Sequence, residues 1–197
     1  MTLEIITALM LFAFVSSITP GPNNLMLMAS GANFGFRRTL PHLLGVGLGF
    51  TLMVVLVGLG IMQLFDLYPL SYQVLKVLSV TYLLYLAYKI AISGSPSENR
   101  SARVNPMTFL QAMLFQWVNP KAWTMALTAI SVYAPSKSVM AVVLVALVFG
   151  AVNLPCISSW TALGQKLQRL LTNKKRLRLF NFSMATLLVL SLYPVLL

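Results

Sequence analysis

Apolar residues in this chain do not alternate with polar ones; they come in six long blocks separated by short polar stretches. The first block runs from about Ile5 to Ala32 and is interrupted at Thr19-Pro20-Gly21-Pro22-Asn23-Asn24. The second covers about Leu43 to Met62 and the third about Leu70 to Ile92. A polar stretch over residues 93–106, with Gly94, Pro96 and Pro106, separates these from the rest. The fourth block, about Met107 to Tyr133, is interrupted at Asn119-Pro120-Lys121. The fifth, about Val139 to Leu163, is interrupted at Asn153-Leu154-Pro155, and the sixth runs from about Leu179 to Leu197. Blocks this long are not strands, and strands of a membrane barrel would alternate in polarity. A helix of about 20 apolar residues crosses a bilayer. The pattern therefore predicts an all-α membrane protein with six transmembrane helices, of which the first and fourth are broken. It forms one transporter-sized domain over residues 1–197, with no room for an extramembrane domain.

Composition agrees. The chain is 58% hydrophobic and 9% charged, with a mean hydropathy of +0.85. Ordinary soluble domains are about 25% charged, so a soluble enzyme is excluded, and disorder needs low hydrophobicity. One cysteine, Cys156, excludes an internal disulfide, and one histidine, His42, with one cysteine makes no transition-metal site. No metal or other cofactor is expected. The first block has Glu4 and no Lys or Arg before Arg37, unlike the basic start of a cleaved leader, so it is expected to be retained.

The net charge of +11 changes the picture by its distribution. Eleven of the fourteen basic residues fall after blocks one, three and five: Arg37 and Arg38; Lys89, Arg100 and Arg103; Lys166, Arg169, Lys174, Lys175, Arg176 and Arg178. The other side carries Lys137 alone, while Lys76 and Lys121 lie within blocks. Lys and Arg accumulate in cytoplasmic loops. The three rich loops, that over residues 93–106 included, are then cytoplasmic and both termini periplasmic. The Lys166–Arg178 run is explained by topology and anionic headgroups rather than by nucleic acid.

The loop divides the chain into half-repeats of about 1–92 and 107–197, each opening on a proline-broken segment. The first broken segment enters from outside and the fourth from inside, as in an inverted 3+3 repeat. Paired interruptions in two halves point to a transporter binding site. At Thr19–Asn24, Pro20 and Pro22 lack amide donors. Gly21 permits an irregular turn, and Asn23 and Asn24 bring amide groups to membrane depth. Irregular backbone at that depth persists only against protein or a water-filled cavity. A half-helix beginning near Asn24 would offer free N–H groups to a carboxylate. A structural kink, with the Asn pair bonded to neighbouring carbonyls, is the alternative.

In Gln116-Trp117-Val118-Asn119-Pro120-Lys121, Asn then Pro reads as an N-cap followed by the first helical residue. Lys121 lies a dozen or more residues from either end of its block, roughly 20 Å and too far to snorkel. No acidic residue lies at that depth. Lys121 is expected to meet a substrate carboxylate or to neutralise charge in a cavity. The alternative bonds it only to exposed carbonyl ends. Thr19, Pro20, Gly21, Pro22, Asn23, Asn24, Gln116, Asn119, Pro120 and Lys121 are the candidate substrate-binding set. Asn153-Leu154-Pro155 reads as a packing kink, and Gly45 and Gly49 as a close helix contact. Tyr82, Tyr85 and Tyr88 supply cavity hydroxyls or interhelical bonds, and Cys156 is a small apolar filler. No phosphate-binding loop and no Ser-His-Asp set is present, which excludes an ATPase and leaves an enzyme without catalytic groups.

Ser17-Ile18-Thr19-Pro20-Gly21-Pro22-Asn23-Asn24-Leu25 resembles the first-helix signature of the LysE/RhtB family of bacterial amino-acid exporters. Gly35-Phe36-Arg37, Gly45 through Phe50, Ala87-Tyr88-Lys89 and Gln116 through Lys121 resemble that family's pattern in order and spacing, over nearly the whole chain. Within the family the chain is most similar to the cysteine/O-acetylserine exporter type. The resemblance implies a multi-pass inner-membrane exporter of small, neutral amino acids or derivatives such as cysteine, O-acetylserine or homoserine. It also implies coupling by proton antiport. Its partners are then the amino-acid substrate, the lipid bilayer and protons; a homodimer is compatible, though no residue argues for it. Antiport through an intramembrane carboxylate finds no such group here. The proton carrier is then Lys121, an ionisable substrate, or absent. The substrate ammonium must be met by carbonyl ends, Asn side chains, or the faces of Trp117 or Trp123. The rival readings are an exporter of another small solute or a metal cation, and a non-transporting membrane partner protein.

Overall fold

The computed structural model describes residues 2–61, 67–93, 105–134, 138–171 and 173–193, and the side chains of all of these but Pro69 and Tyr72. All regular structure among them is helical: α1 (Leu3–Ile18), α2 (Pro22–Phe34), α3 (Phe36–Gly58), α4 (Pro69–Ala91), α5 (Phe109–Phe115), a 3-10 turn (Gln116–Val118), α6 (Pro120–Tyr133), α7 (Val139–Gln168) and α8 (Lys174–Leu190). Most of the loop over residues 93–106, with Arg100 and Arg103, lies outside the described residues, as do Lys137, Asp66 and residues 194–197.

The first block breaks where its prolines and glycine stand. Pro22 opens α2 at its first position, and α1 and α2 meet at 55°. The fourth block breaks at a 3-10 turn followed by Asn119, whose side-chain oxygen accepts from Lys121 N at 3.2 Å while Pro120 begins α6. The fifth block corrects the expectation. α7 runs unbroken through Pro155 for 30 residues. A proline removes one helical bond, here the one to the carbonyl of Ala151, and the helix continues past it. Two boundaries also move. α3 starts at Phe36, directly after Gly35, whose φ of 79° glycine alone adopts readily. α8 starts at Lys174, and Lys166 belongs to the last turn of α7.

Among the described residues, three helices are long and apolar enough to cross a membrane: Phe36–Gly58, Gln73–Ala91 and Val139–Gln168. The bent pair α1–α2 makes a fourth if it is one span. The 14 residues of α6 and 17 of α8 fall short of the about 20 that a full crossing needs.

Most of the larger helix pairings exchange between the two halves of the chain. α1 packs on α7 as α5 packs on α3; α2 packs on α7 as α6 packs on α3; α3–α7 and α4–α8 map onto themselves. Glycines permit the closest approaches. A Cβ at Gly31 would strike Thr161 O, and one at Gly164 would strike Met28 O, so α2 and α7 touch backbone to backbone. Gly45 and Gly49 do the same against Phe109 and Met113 of α5, which makes the small-residue spacing a packing device.

Two apolar clusters lie on either side of the breaks. One joins Leu9 and Ala13 of α1, Phe50 and Met53 of α3, Ala122 and Ala126 of α6, and Phe149 of α7. The other joins Met26 of α2, Leu83 and Leu86 of α4, Phe115 of α5 and Leu188 of α8. Along α1–α2 and α5–α6 alike, the polar break separates residues of one cluster from residues of the other.

Candidate functional site

The two breaks, nearly a hundred residues apart in sequence, meet in space. Asn23 Nδ2 donates to Gln116 Oε1 at 2.8 Å, and Gln116 Nε2 donates back to Asn23 Oδ1 at 3.2 Å. Gln116 is fully buried, and its Nε2 also donates to Ala112 O at 2.9 Å. Lys121 Nζ donates to Thr19 O at 2.8 Å and to Pro20 O at 3.3 Å.

The end of α1 shows why those polar residues are needed. The last carbonyls of a helix have no intrahelical partner, and hydrocarbon offers none. Here each is met. Ser16 O accepts from the Thr19 hydroxyl at 3.1 Å. Ser17 O and Thr19 O each accept from Asn24 Nδ2 at 2.8 Å. Ile18 O accepts from Trp160 Nε1 at 3.1 Å, and Pro20 O from Lys121. At the start of α2, the first helical bond is Leu25 N to Gly21 O at 3.0 Å. The amides of Asn23 and Asn24 therefore open the helix ahead of its ladder.

Gly21 has another role than the one expected of it. Its φ of −175° is extended backbone open to any residue. What requires glycine is proximity: a Cβ there would lie 2.6 Å from Lys121 Cδ and 3.1 Å from Nζ. The absent side chain lets Lys121 lie against the break.

Gly21, Asn23, Asn24, Asn119 and Lys121 line a common cavity with Ser17, Phe50 and Asn153. Its volume is about 20 Å³, room for about one water. This conformation is closed to an amino acid. Of the other predicted residues, Gln116 acts by holding Asn23, Thr19 and Pro20 act through their carbonyls with exposed side chains, and Pro22 and Pro120 start the half-helices. Ser17 and Asn153 were missing from the set. Ser17 is buried with its hydroxyl unpartnered among the described residues, and Asn153 is 4% exposed. Their signal in the sequence was a polar residue in or next to a proline motif, Ser17 before Thr19–Asn24 and Asn153 in Asn153-Leu154-Pro155. Trp123 Nε1 donates to Trp117 O at 2.8 Å, and the two indoles pack edge to face with centroids 5.8 Å apart. Among the described residues no three His, Cys, Asp or Glu side chains cluster.

Paired discontinuous helices recur at the binding sites of membrane transporters. Residues 14–192 match the family model of LysE type translocators, and the chain belongs to that family. It is 30% identical over 195 residues to the cysteine/O-acetylserine efflux protein of Escherichia coli strain K12, covering 96% of each chain. The protein of that description from Shigella sonnei matches equally, and one from Salmonella choleraesuis is 34% identical over 134 residues, 68% of this chain and 67% of its own. No solved structure matches the chain.

Proposed function

We infer that this protein is a secondary transporter exporting small neutral amino acids or derivatives across the bacterial inner membrane, in the cysteine, O-acetylserine and homoserine range. The observation that carries the reading is the meeting of two discontinuous helices through Lys121, Asn23 and Gln116. The names of the relatives point to the same cargo. In this reading the amides opening α2, with Lys121, hold the substrate carboxylate. Asn119, Gln116 and the carbonyls of Thr19 and Pro20 take the remaining polar groups. A cavity holding a lysine and no acid disfavours basic amino acids.

The chain forms one domain of six spans, with α1–α2 and α5–α6 each a broken span and α8 the sixth. The exchange of helix pairings between halves supports an inverted repeat. The basic loops support periplasmic termini. Rocking of one half against the other separates Lys121 from Thr19 and opens the closed cavity, which gives alternating access. Export is driven by proton antiport.

Purified protein in proteoliposomes tests this. With an imposed pH gradient, saturable flux of labelled serine or cysteine, and none of lysine or a divalent cation, is expected. Flux indifferent to the gradient would remove proton coupling; no amino-acid flux would overturn the reading.

A further inference from the structure

A second cavity, about 100 Å³, lies at the end of the molecule that carries Arg37 and Arg38, between α2, the start of α3, the end of α4 and the start of α5. It is five times the volume of the cavity between the breaks. A cavity of about 150 Å³ takes a benzene ring, so the size suits an amino acid with a short side chain. Its wall is polar in an ordered way. Ser30 pairs with Thr39 at 2.9 Å, and Asn33 exchanges hydrogen bonds with Asn181 at 2.8 and 3.1 Å. These groups satisfy one another.

His42 does not share in this. The side chain is 2% exposed and lines the cavity, and neither ring nitrogen has a hydrogen-bond partner among the described residues. A buried polar group without a partner costs about 1–3 kcal/mol, so a chain that retains one has a ligand or solvent for it. At the rim stands Lys89, exposed, with its ammonium 5.5 Å from the Tyr85 ring centre. Tyr82 and Tyr85 also line the cavity, and no described lining residue is acidic.

We propose that this cavity is a second, inner-side binding site for small zwitterionic amino acids, at which His42 meets the ammonium and Lys89 the carboxylate. The chemistry follows from the residue types. A neutral imidazole offers one acceptor nitrogen and one N–H donor. The acceptor takes an N–H of the ammonium without a buried acid, the group this chain lacks at membrane depth. Lys89 is a point charge at the mouth that draws in the carboxylate. Substrate is captured here before it reaches the breaks. The ligand class rests on the proposed function; the site itself rests on the cavity and His42.

His42 is the one histidine of the chain, so its imidazole gives an unambiguous signal. Full-length protein, purified through a tag without histidine and labelled with ¹⁵N-histidine, is titrated with serine at constant pH. The expected result is a saturable shift of the imidazole nitrogens at millimolar serine, absent with N-acetylserine, which has no ammonium. Lys121→Met retains the shift, and Lys89→Met raises its half-saturation severalfold. No shift in the wild type overturns the site. A shift lost in Lys121→Met also overturns it, because His42 would then be sensing the cavity between the breaks. Serine flux in proteoliposomes without a shift leaves the proposed function standing and removes this site. A shift without flux leaves the site and removes the transporter.

Discussion

Gly21→Ala separates the contact that Lys121 makes from everything else at the break. The backbone there is extended, so alanine adopts it without strain. The new Cβ would stand 2.6 Å from Lys121 Cδ, against an ordinary carbon contact of about 3.5–4.0 Å, so the lysine must withdraw by about 1 Å. Its 2.8 Å bond to Thr19 O then stretches past hydrogen-bond range. A hydrogen bond to a charged group contributes about 1.5–3 kcal/mol, and each 1.4 kcal/mol is tenfold, so the misplaced ammonium costs about 10- to 150-fold in kcat/KM. The assay is initial-rate amino-acid flux in proteoliposomes for Gly21→Ala, Lys121→Ala and the double variant, with thermal unfolding as the control. Gly21→Ala should leave the unfolding midpoint within a few degrees of wild type. In the Lys121→Ala background it should change flux less than twofold, because the clash and the clamp are then both gone. An equal loss in both backgrounds would place the effect in the backbone and refute the reasoning.

Other outcomes follow from the same geometry. Asn24→Ala strips a donor from Ser17 O and Thr19 O, and should lower stability by about 2 kcal/mol as well as abolish flux, read by thermal unfolding and transport together. Asn23→Leu and Gln116→Leu should be strongly non-additive in unfolding free energy, since each removes the same reciprocal pair, with a coupling of about 1–2 kcal/mol. Gly31→Ala drives a methyl into Thr161 O, a backbone atom that cannot turn aside. It should destabilise by about 1–3 kcal/mol, visible as loss of folded yield and a lowered Tm. Pro155→Ala lies in a helix that is already continuous, so flux and Tm should hold at or above wild type.

How far the sequence was legible can be traced through these residues. The break at Thr19–Asn24 and the restart at Asn119-Pro120 were readable because proline and asparagine act locally, through a missing amide and a side-chain cap. The packing role of Gly45 and Gly49 was readable from spacing. The interruption at Asn153-Leu154-Pro155 was not, because one proline in an otherwise apolar helix removes a single backbone bond, which the packing of a 30-residue helix overrides. The purpose of Gly21 was hidden for a different reason: Lys121, a hundred residues away in the chain, is what occupies the space. For the same reason the sequence did not show that Ser17 and Asn153 share one cavity with the breaks. For Lys121 the structure shows the carbonyl bonds of one reading, while its meeting with a substrate carboxylate belongs to the proposed function. The lysine also lines the cavity between the breaks.

The carbonyl accounting at the end of α1 bears on mechanism. Apart from the Thr19 hydroxyl on Ser16 O, the side chains that meet these carbonyls come from other helices: Asn24 from α2, Trp160 from α7 and Lys121 from α6. A break held by side chains can exchange one partner for a substrate group without unsatisfied backbone polar atoms at membrane depth. In the proposed function Lys121 makes that exchange: Thr19 O retains Asn24 when the lysine leaves, and Pro20 O, which the lysine held, is left to the substrate ammonium.

The measurement that bears most directly on this account is kcat/KM for labelled serine or cysteine flux by purified wild-type and Lys121→Met protein, reconstituted at equal folded amounts. The account predicts saturable flux by the wild type and a loss of about 30-fold or more in the variant, the equivalent of one charge-assisted hydrogen bond to a carboxylate. Undiminished flux in Lys121→Met would contradict it.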